Sequence, residues 1–331
     1  MGAVLVQGSQ LVEKVGDDQI RSIIQASLGS QTEVAECRFM DGGQFNTSYE
    51  ITTRNPAQHV VLRIAPRLDR SPLRSGRDTL LAQPVIQRLL QQAGVPTAQV
   101  LTADGSRALI DRDYMIVDYI DAVPMNHPWV GAGARPQLRR EVGRCVARMH
   151  GISADRFGRI MPDGAVRGSA SWAEVFGEIL TDTCGQSCAA GVISGGDVDA
   201  ALGLYRAQRA VFDECRAPVL VHNDIWDPNI LVRQNDGHWR IAALIDADGA
   251  LFAEREFEFA LWDEADADLL SGYGRPLDAS ASAALRRAFY RLQLYLIYAW
   301  FYLVLTPNPA FQASARRTAL DTLHALRVDS A

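Results

Sequence analysis

Alternation of apolar and polar positions dominates the first third of the chain. It runs from Val34 to Met40, from Ser48 to Thr53 and from His59 to Ile64, the period-two pattern of strands that bury one face. Asp41 to Thr47, with its paired Gly42 and Gly43, and Arg54-Asn55-Pro56 supply the turn-forming breaks. Further strands read at Val100 and Leu101, at Ala108 to Ile110 and from Tyr114 to Tyr119. One helical spacing interrupts them: Leu80, Leu81, Val85, Ile86, Leu89 and Leu90 fall on one side over 78–93, which Gly94 and Pro96 end. Pro84 inside that span predicts a kink, or a helix that starts close to it. After Asp118-Tyr119-Ile120 the period lengthens, and amphipathic helices read at Pro136–His150, Trp172–Thr183, Val198–Cys215, Ser280–Leu305 and Ala310–Arg327. Only 219–246 breaks them with short strands. The pattern therefore predicts an α+β protein of two lobes: a small antiparallel β lobe over 1–117, an extended hinge at 118–122 and a larger helical lobe over 123–331. Such an arrangement builds a ligand cleft between its lobes.

Composition narrows the setting. A chain of 331 residues with 48% hydrophobic content buries a core without covalent staples. Its five cysteines are odd in number and form no CxxC, which argues against a disulfide framework or zinc site and for a reducing cytoplasm. The N-terminus, Met1 to Gln7, shows no basic region followed by a long apolar stretch. The longest apolar run, Leu292 to Leu305, falls short of the roughly 20 residues of a membrane span and reads as a buried helix. A net charge of −6 leaves no basic footprint for nucleic acid, so a neutral or cationic small molecule is the expected partner, for a monomer or a homodimer. Lys14 is the only lysine, so almost every positive charge is a guanidinium.

The candidate chemistry sits at 219–246. Val219-Leu220-Val221 delivers a polar tip, His222-Asn223-Asp224, and Ile230-Leu231-Val232 returns to the core just after Asn229. Leu244-Ile245-Asp246 then ends a second apolar run beyond the turn at Gln234 to Gly237. Two acids and an amide at the open end of a hairpin are the parts that phosphoryl transfer needs. One carboxylate orients a hydroxyl and takes its proton, while an amide oxygen and a second carboxylate hold magnesium, which shares its shell with phosphate and water. Taken alone, the loop also reads as a strand-turn-strand with Asp224 in an Asx-turn. No GxxxxGK[ST] or GxSxG is present, which sets aside P-loop enzymes and serine hydrolases.

His222-x-Asp224-x-x-x-x-Asn229 with Ile245-Asp246 resembles the catalytic-loop and metal motifs of the aminoglycoside phosphotransferase family, whose fold is protein-kinase-like. Gly42 to Tyr49 looks like that family's nucleotide loop, Val61 to Ile64 like its third strand and Met149-His150-Gly151-Ile152 like a characteristic helix end. The resemblance implies ATP or GTP as donor, Mg²⁺ as cofactor and a small-molecule hydroxyl as acceptor. It implies Asp224 as catalytic base, Asn229 and Asp246 as metal ligands, and Asn46, Thr47, Ser48, Arg63 and the backbone of Asp118, Tyr119 and Ile120 as nucleotide contacts. Glu254 and Glu258 fall where the family has loop-buttressing acids. Kinase-like folds carry a lysine–glutamate pair where this chain has Arg63 and Gln83; Arg63 also reads as a strand-end surface charge.

For the acceptor, two signals compete. Trp226, Asp227, Asp248, Trp262, Asp263 and Asp266 are the candidate contacts, and the acids among them would suit a polycationic antibiotic. Aromatic residues, including Tyr295, Tyr298, Trp300 and Tyr302, would suit a nucleoside, a macrolide or another less charged molecule, or belong to the core. An antibiotic kinase is the leading expectation. A metabolic kinase acting on choline, a sugar or a fructosamine-like amine, and a catalytically silent nucleotide-binding protein, are the rivals.

Overall fold

The computed structural model describes residues 9–41, 43–67, 79–262 and 266–328. Its first lobe holds α1 (Asp17–Leu28), strands β1 (Glu33–Phe39), β2 (Thr47–Arg54) and β3 (His59–Ile64), α2 (Thr79–Gln92), β4 (Val100–Asp104) and β5 (Tyr114–Asp118). The five strands form one antiparallel sheet in the order β1-β2-β3-β5-β4. Ile20, Ile23 and Ile24 of α1 pack with Ile51, Leu62 and Ile64. Leu80 of α2 packs with Met115 and Val117. Neighbouring residues of β5 thus face different clusters, as the strand period requires. The helix α1 is absent from the expected elements, although its signals are ordinary: Asp17 and Asp18 in the first turn and Gly29 at its end. Helix α2 runs through Pro84 without a break.

The stretch Ala108–Ile110 is not a strand. A bend occupies it, in which Ser106 donates to Asp104 from both backbone and hydroxyl and Arg107 takes a left-handed φ of 57°. Ile110 still plugs the lobe core, which accounts for the apolar triplet.

The second lobe continues with β6 (Val123–Pro124), α3 (Arg135–Met149), the hairpin β7 (Phe157–Ile160) and β8 (Val166–Ser169), α4 (Trp172–Ala189), α5 (Gly195–Ala207), α6 (Arg209–Asp213), β9 (Val219–Val221), β10 (Ile230–Asn235), β11 (His238–Leu244), β12 (Leu251–Ala253), α7 (Ala267–Tyr273), α8 (Ala281–Val304) and α9 (Pro309–Val328). The expected helix over Val198–Cys215 is two helices, and Trp172's helix extends past Thr183. Helices α3 and α7 cross at glycines: a Cβ on Gly143 would meet Leu269 O at 2.1 Å, and one on Gly272 would meet Arg140 O at 2.0 Å. No side chain fits either position without separating the helices. Among the described residues, no helix is long and apolar enough to cross a membrane.

Two features tie the lobes together. Ala82, Ile86 and Leu90 of α2 share a core cluster with Val142, Ile225, Ile230 and Leu244. The segment ahead of α1 places Leu11 in the helical core, and its Gln10 N–H reaches Leu305 O at 3.4 Å. Two residues beyond Leu11, Glu13 exchanges hydrogen bonds of 3.1 Å with the Thr47 hydroxyl from both its N–H and its C=O. Thr47→Val removes this partner from both Glu13 groups, although the Glu13 C=O keeps Arg112 Nη1 at 3.0 Å, and the loss of a typical hydrogen bond costs about 0.5–1.5 kcal/mol. Thermal unfolding should show that loss as a lower Tm.

Candidate active site

Strand β9 leads into His222 and a tight loop. Asn223 stands at φ 63° and Asp246 at φ 61°, in the left-handed region that Asn and Asp tolerate best among non-glycine residues. Glu258 makes the turn possible. Fully buried, it accepts the N–H groups of His222 at 2.7 Å and Asn223 at 3.1 Å. Burial raises its carboxyl to about 7, and the two amides oppose that shift. Glu254 does not join it. It accepts from the Tyr290 hydroxyl at 3.1 Å, deep in the helical core, where Trp172 Nε1 donates to the same hydroxyl at 2.7 Å. Burial also lowers His222 to about 4, which leaves it neutral at pH 7.

Asp224 and Asn229 meet. The Asn229 side-chain amide donates to the Asp224 backbone oxygen at 3.0 Å and to Oδ2 at 2.7 Å, so its own Oδ1 points elsewhere. The antiparallel pairing of Ile230 with Leu244, extended by Ile245 N–H to Asn229 O at 3.0 Å, brings Asp246 to the same end of the hairpin. Burial, and next the negative charge of Asp246, push Asp224 up to about 8.

Arg63 crosses from the β lobe to this acidic end. It donates to Asp246 and, at 3.3 Å, to Asp248 Oδ2, which also accepts from Asn46 at 2.8 Å. Its side chain is 12% exposed, so it is not a strand-end surface charge. Gln83, which stands where kinase-like folds have the pairing glutamate, makes no such contact: its amide is fully buried and has no hydrogen-bond partner among the described residues. Asp248 Oδ1 is likewise buried without a partner. Among the described residues no three His, Cys, Asp or Glu side chains form a metal cage. The donors that do converge are hard oxygens with one guanidinium among them, which fits Mg²⁺ sharing its shell with phosphate and water.

Other expected contacts are spent on the protein itself. The Thr47 hydroxyl is engaged by Glu13, whereas Ser48 faces Arg63 across the β2–β3 ladder, a backbone pairing that does not engage its side chain. The N–H groups of Asp118 and Tyr119 serve Gln99 O and His59 O, each at 3.0 Å, so of these three expected backbone contacts only the Ile120 amide lies outside those bonds. Asp227 accepts from Arg139 at 2.7 Å and Arg135 at 3.2 Å. Arg139 also lies 3.5 Å from Asp266 and stacks over Trp262 at 4.4 Å. Three expected acceptor contacts are thus joined by one arginine that sequence reasoning missed. Trp226 remains exposed on the loop, and Asp263, like Gly42, lies outside the described residues.

A model of the phosphotransferase enzyme family matches residues 36–301, a span that includes every element of this site. The chain belongs to that family. It is a phosphotransferase, and no curated protein sequence matches it. Solved structures establish the protein-kinase-like fold. A protein assigned as a fructosamine-3-kinase from Thermobifida fusca YX-ER1 is 20% identical at a TM-score of 0.65, covering 94% of this chain and 99% of its own. A thermostable mutant of aminoglycoside phosphotransferase APH(4)-Ia, in its apo form, is 18% identical at 0.64, covering 92% and 98%. The GDP complex of an aminoglycoside 2'-phosphotransferase-IIIa mutant is 12% identical at 0.62, covering 95% and 98%.

Proposed function

We propose that this phosphotransferase moves the γ-phosphate of ATP or GTP to a hydroxyl of a natural-product antibiotic or similar small molecule in the cytoplasm. The observation that carries the reading is the convergence of Asp224, Asn229 and Asp246 at one end of a hairpin pinned by Glu258. Asp224 accepts the acceptor's hydroxyl proton, since its raised affinity for protons suits a general base near neutral pH. Asn229 orients that carboxylate with its amide and offers its free oxygen, with Asp246, to Mg²⁺. When bound, the metal supplies neutralisation of charge on the transferring phosphate. Arg63, and the Asn46 loop held by Asp248, stand where the phosphates would arrive, and arginine grips phosphate with two prongs. The lobes at 1–117 and 123–331 enclose the cleft, with 118–122 as the hinge.

Support for a nucleotide comes from solved relatives of the same fold: an APH(4)-Ia variant is described in a ternary complex with ADP and hygromycin B. A metabolic acceptor is the second reading, favoured by the equally good match to the protein assigned as a fructosamine-3-kinase. Labelled γ-phosphate should pass from Mg–ATP or Mg–GTP to a low-molecular-weight acceptor and stop on chelation with EDTA. Transfer that persists without a divalent ion removes the metal roles. Tight nucleotide binding with no turnover on antibiotics, sugars or amino alcohols leaves a silent binding protein.

A further inference from the structure

Between Asp224 and Asn229, the catalytic loop is anchored by Asp227. This residue opens the short 3₁₀ turn that ends in Asn229. Its backbone oxygen accepts from Met125 N–H at 3.2 Å, and its carboxylate takes Arg139 at 2.7 Å on one oxygen and Arg135 at 3.2 Å on the other. Glu258 holds the start of the same loop by the His222 and Asn223 amides. Asp224 is thus suspended between two pinned points.

Both arginines come from α3, a helix with little room to move. Leu138, Val142 and Val146 are fully buried, and Gly143 meets α7 too closely for any side chain. Glu141 accepts from Ile241 N–H at 3.1 Å on β11, the strand that leads to Asp246. Arg139 also lies 3.5 Å from Asp266, which caps α7 by accepting Leu269 N–H at 2.9 Å, and its guanidinium covers Trp262 at 4.4 Å. One side chain therefore sets the offset between the catalytic loop and the segment that enters α7. In the Arg139–Asp227 pair the side chains are 19% and 20% exposed. Ion pairs open to water add little to global stability, whereas a displacement of about 1 Å at a reacting group can slow a reaction about a hundredfold. That difference separates a brace of the fold from a brace of the chemistry.

Resting on the phosphotransfer reading above, we propose that Arg139 is a positioning residue for the transfer: acting through Asp227, it fixes the loop that carries Asp224 and Asn229. Hydrogen exchange of the full chain, read by mass spectrometry, tests this together with the kinetics of γ-phosphate transfer from Mg–ATP to water or to an acceptor found by screening. Arg139→Met keeps an apolar stem over Trp262 and removes the fork. Amides within 223–229 are expected to exchange about tenfold faster in this variant while the rest of the chain keeps the parent's rates. The kcat should fall about tenfold to a hundredfold with the nucleotide KM unchanged. Asp227→Asn should reproduce both effects, the double variant should lose no more than Asp227→Asn alone, and Arg139→Lys should recover part of the loss. An unchanged kcat, a rise in exchange spread evenly over the chain, or losses from the two single variants that multiply in the double one overturns the proposal while the phosphotransfer reading stands. A parent that transfers phosphate to neither water nor any acceptor overturns that reading and this one with it.

Discussion

Replacing Asp224 with asparagine is expected to lower kcat by about two to four orders of magnitude, the usual contribution of a positioned general base. The substitution keeps the shape of the side chain. It can keep the contact with Asn229 as well, because an asparagine oxygen can accept the amide that Asp224 Oδ2 accepts at 2.7 Å. Only the capacity to take a proton disappears, so the nucleotide KM should hardly move while kcat falls.

Stability should move the other way in the metal-free protein. The folded Asp224 binds its proton up to about pH 8, driven first by burial and then by Asp246, against an ordinary aspartate value of 3.8. Between those values the folded state holds more protons than the unfolded one, so stability contributed by this residue falls as pH rises. Asparagine has no such slope. The variant should therefore gain thermal stability over the parent as pH is raised toward 8, a trade of stability against activity expected of a functional group placed where the fold alone would not put it. Steady-state kinetics and melting curves across that pH range check both halves. An undiminished kcat removes Asp224 from the chemistry.

Much of this site is legible in the sequence because its parts are local. The loop from His222 to Asn229 and the run into Asp246 are short, flanked by β-branched strands, and joined by a hairpin turn whose residues name themselves. The β lobe reads for the same reason, since period-two alternation survives wherever one face is buried. What fails to read is whatever depends on distant partners. Asp227, Trp262 and Asp266 look like three free acceptor contacts until Arg139, between 88 and 127 residues away from them, draws all three together. Thr47 looks like a phosphate donor because nothing in its neighbourhood announces that Glu13 will occupy its hydroxyl. The helix α1 is readable, with three isoleucines at helical spacing and two acids in its first turn, but sits outside the pattern that the resemblance covers. Ala108–Ile110 shows the opposite error: an apolar triplet can bury one side chain from a bend as well as from a strand.

Arg63→Ala should destabilise the metal-free protein by about 1–3 kcal/mol, because the guanidinium is buried while its partner Asp246 is 43% exposed and water takes up part of the lost pairing. Arg63 is the guanidinium between Asp246 and Asp248, and its loss leaves their charges facing each other, with Asp248 Oδ1 already lacking a partner. Asn46 alone cannot compensate, because a neutral amide meets only one of the four oxygens. If Asp246 is a magnesium ligand, the metal is the natural replacement for the missing charge. A cation that binds the folded state and not the unfolded one stabilises it in proportion to the logarithm of its concentration, so millimolar Mg²⁺ should restore part of the lost Tm and do so more for the variant than for the parent. Arg63→Lys should fall between the two, since an ammonium keeps the charge but reaches both carboxylates less well than a fork of two nitrogens. An exposed strand-end charge would behave otherwise, with a change within about 0.5 kcal/mol and no response to Mg²⁺. Melting curves of parent, alanine and lysine forms with and without Mg²⁺ therefore decide whether Arg63 guards the metal end of the cleft, and a variant as stable as the parent in EDTA would show that it does not.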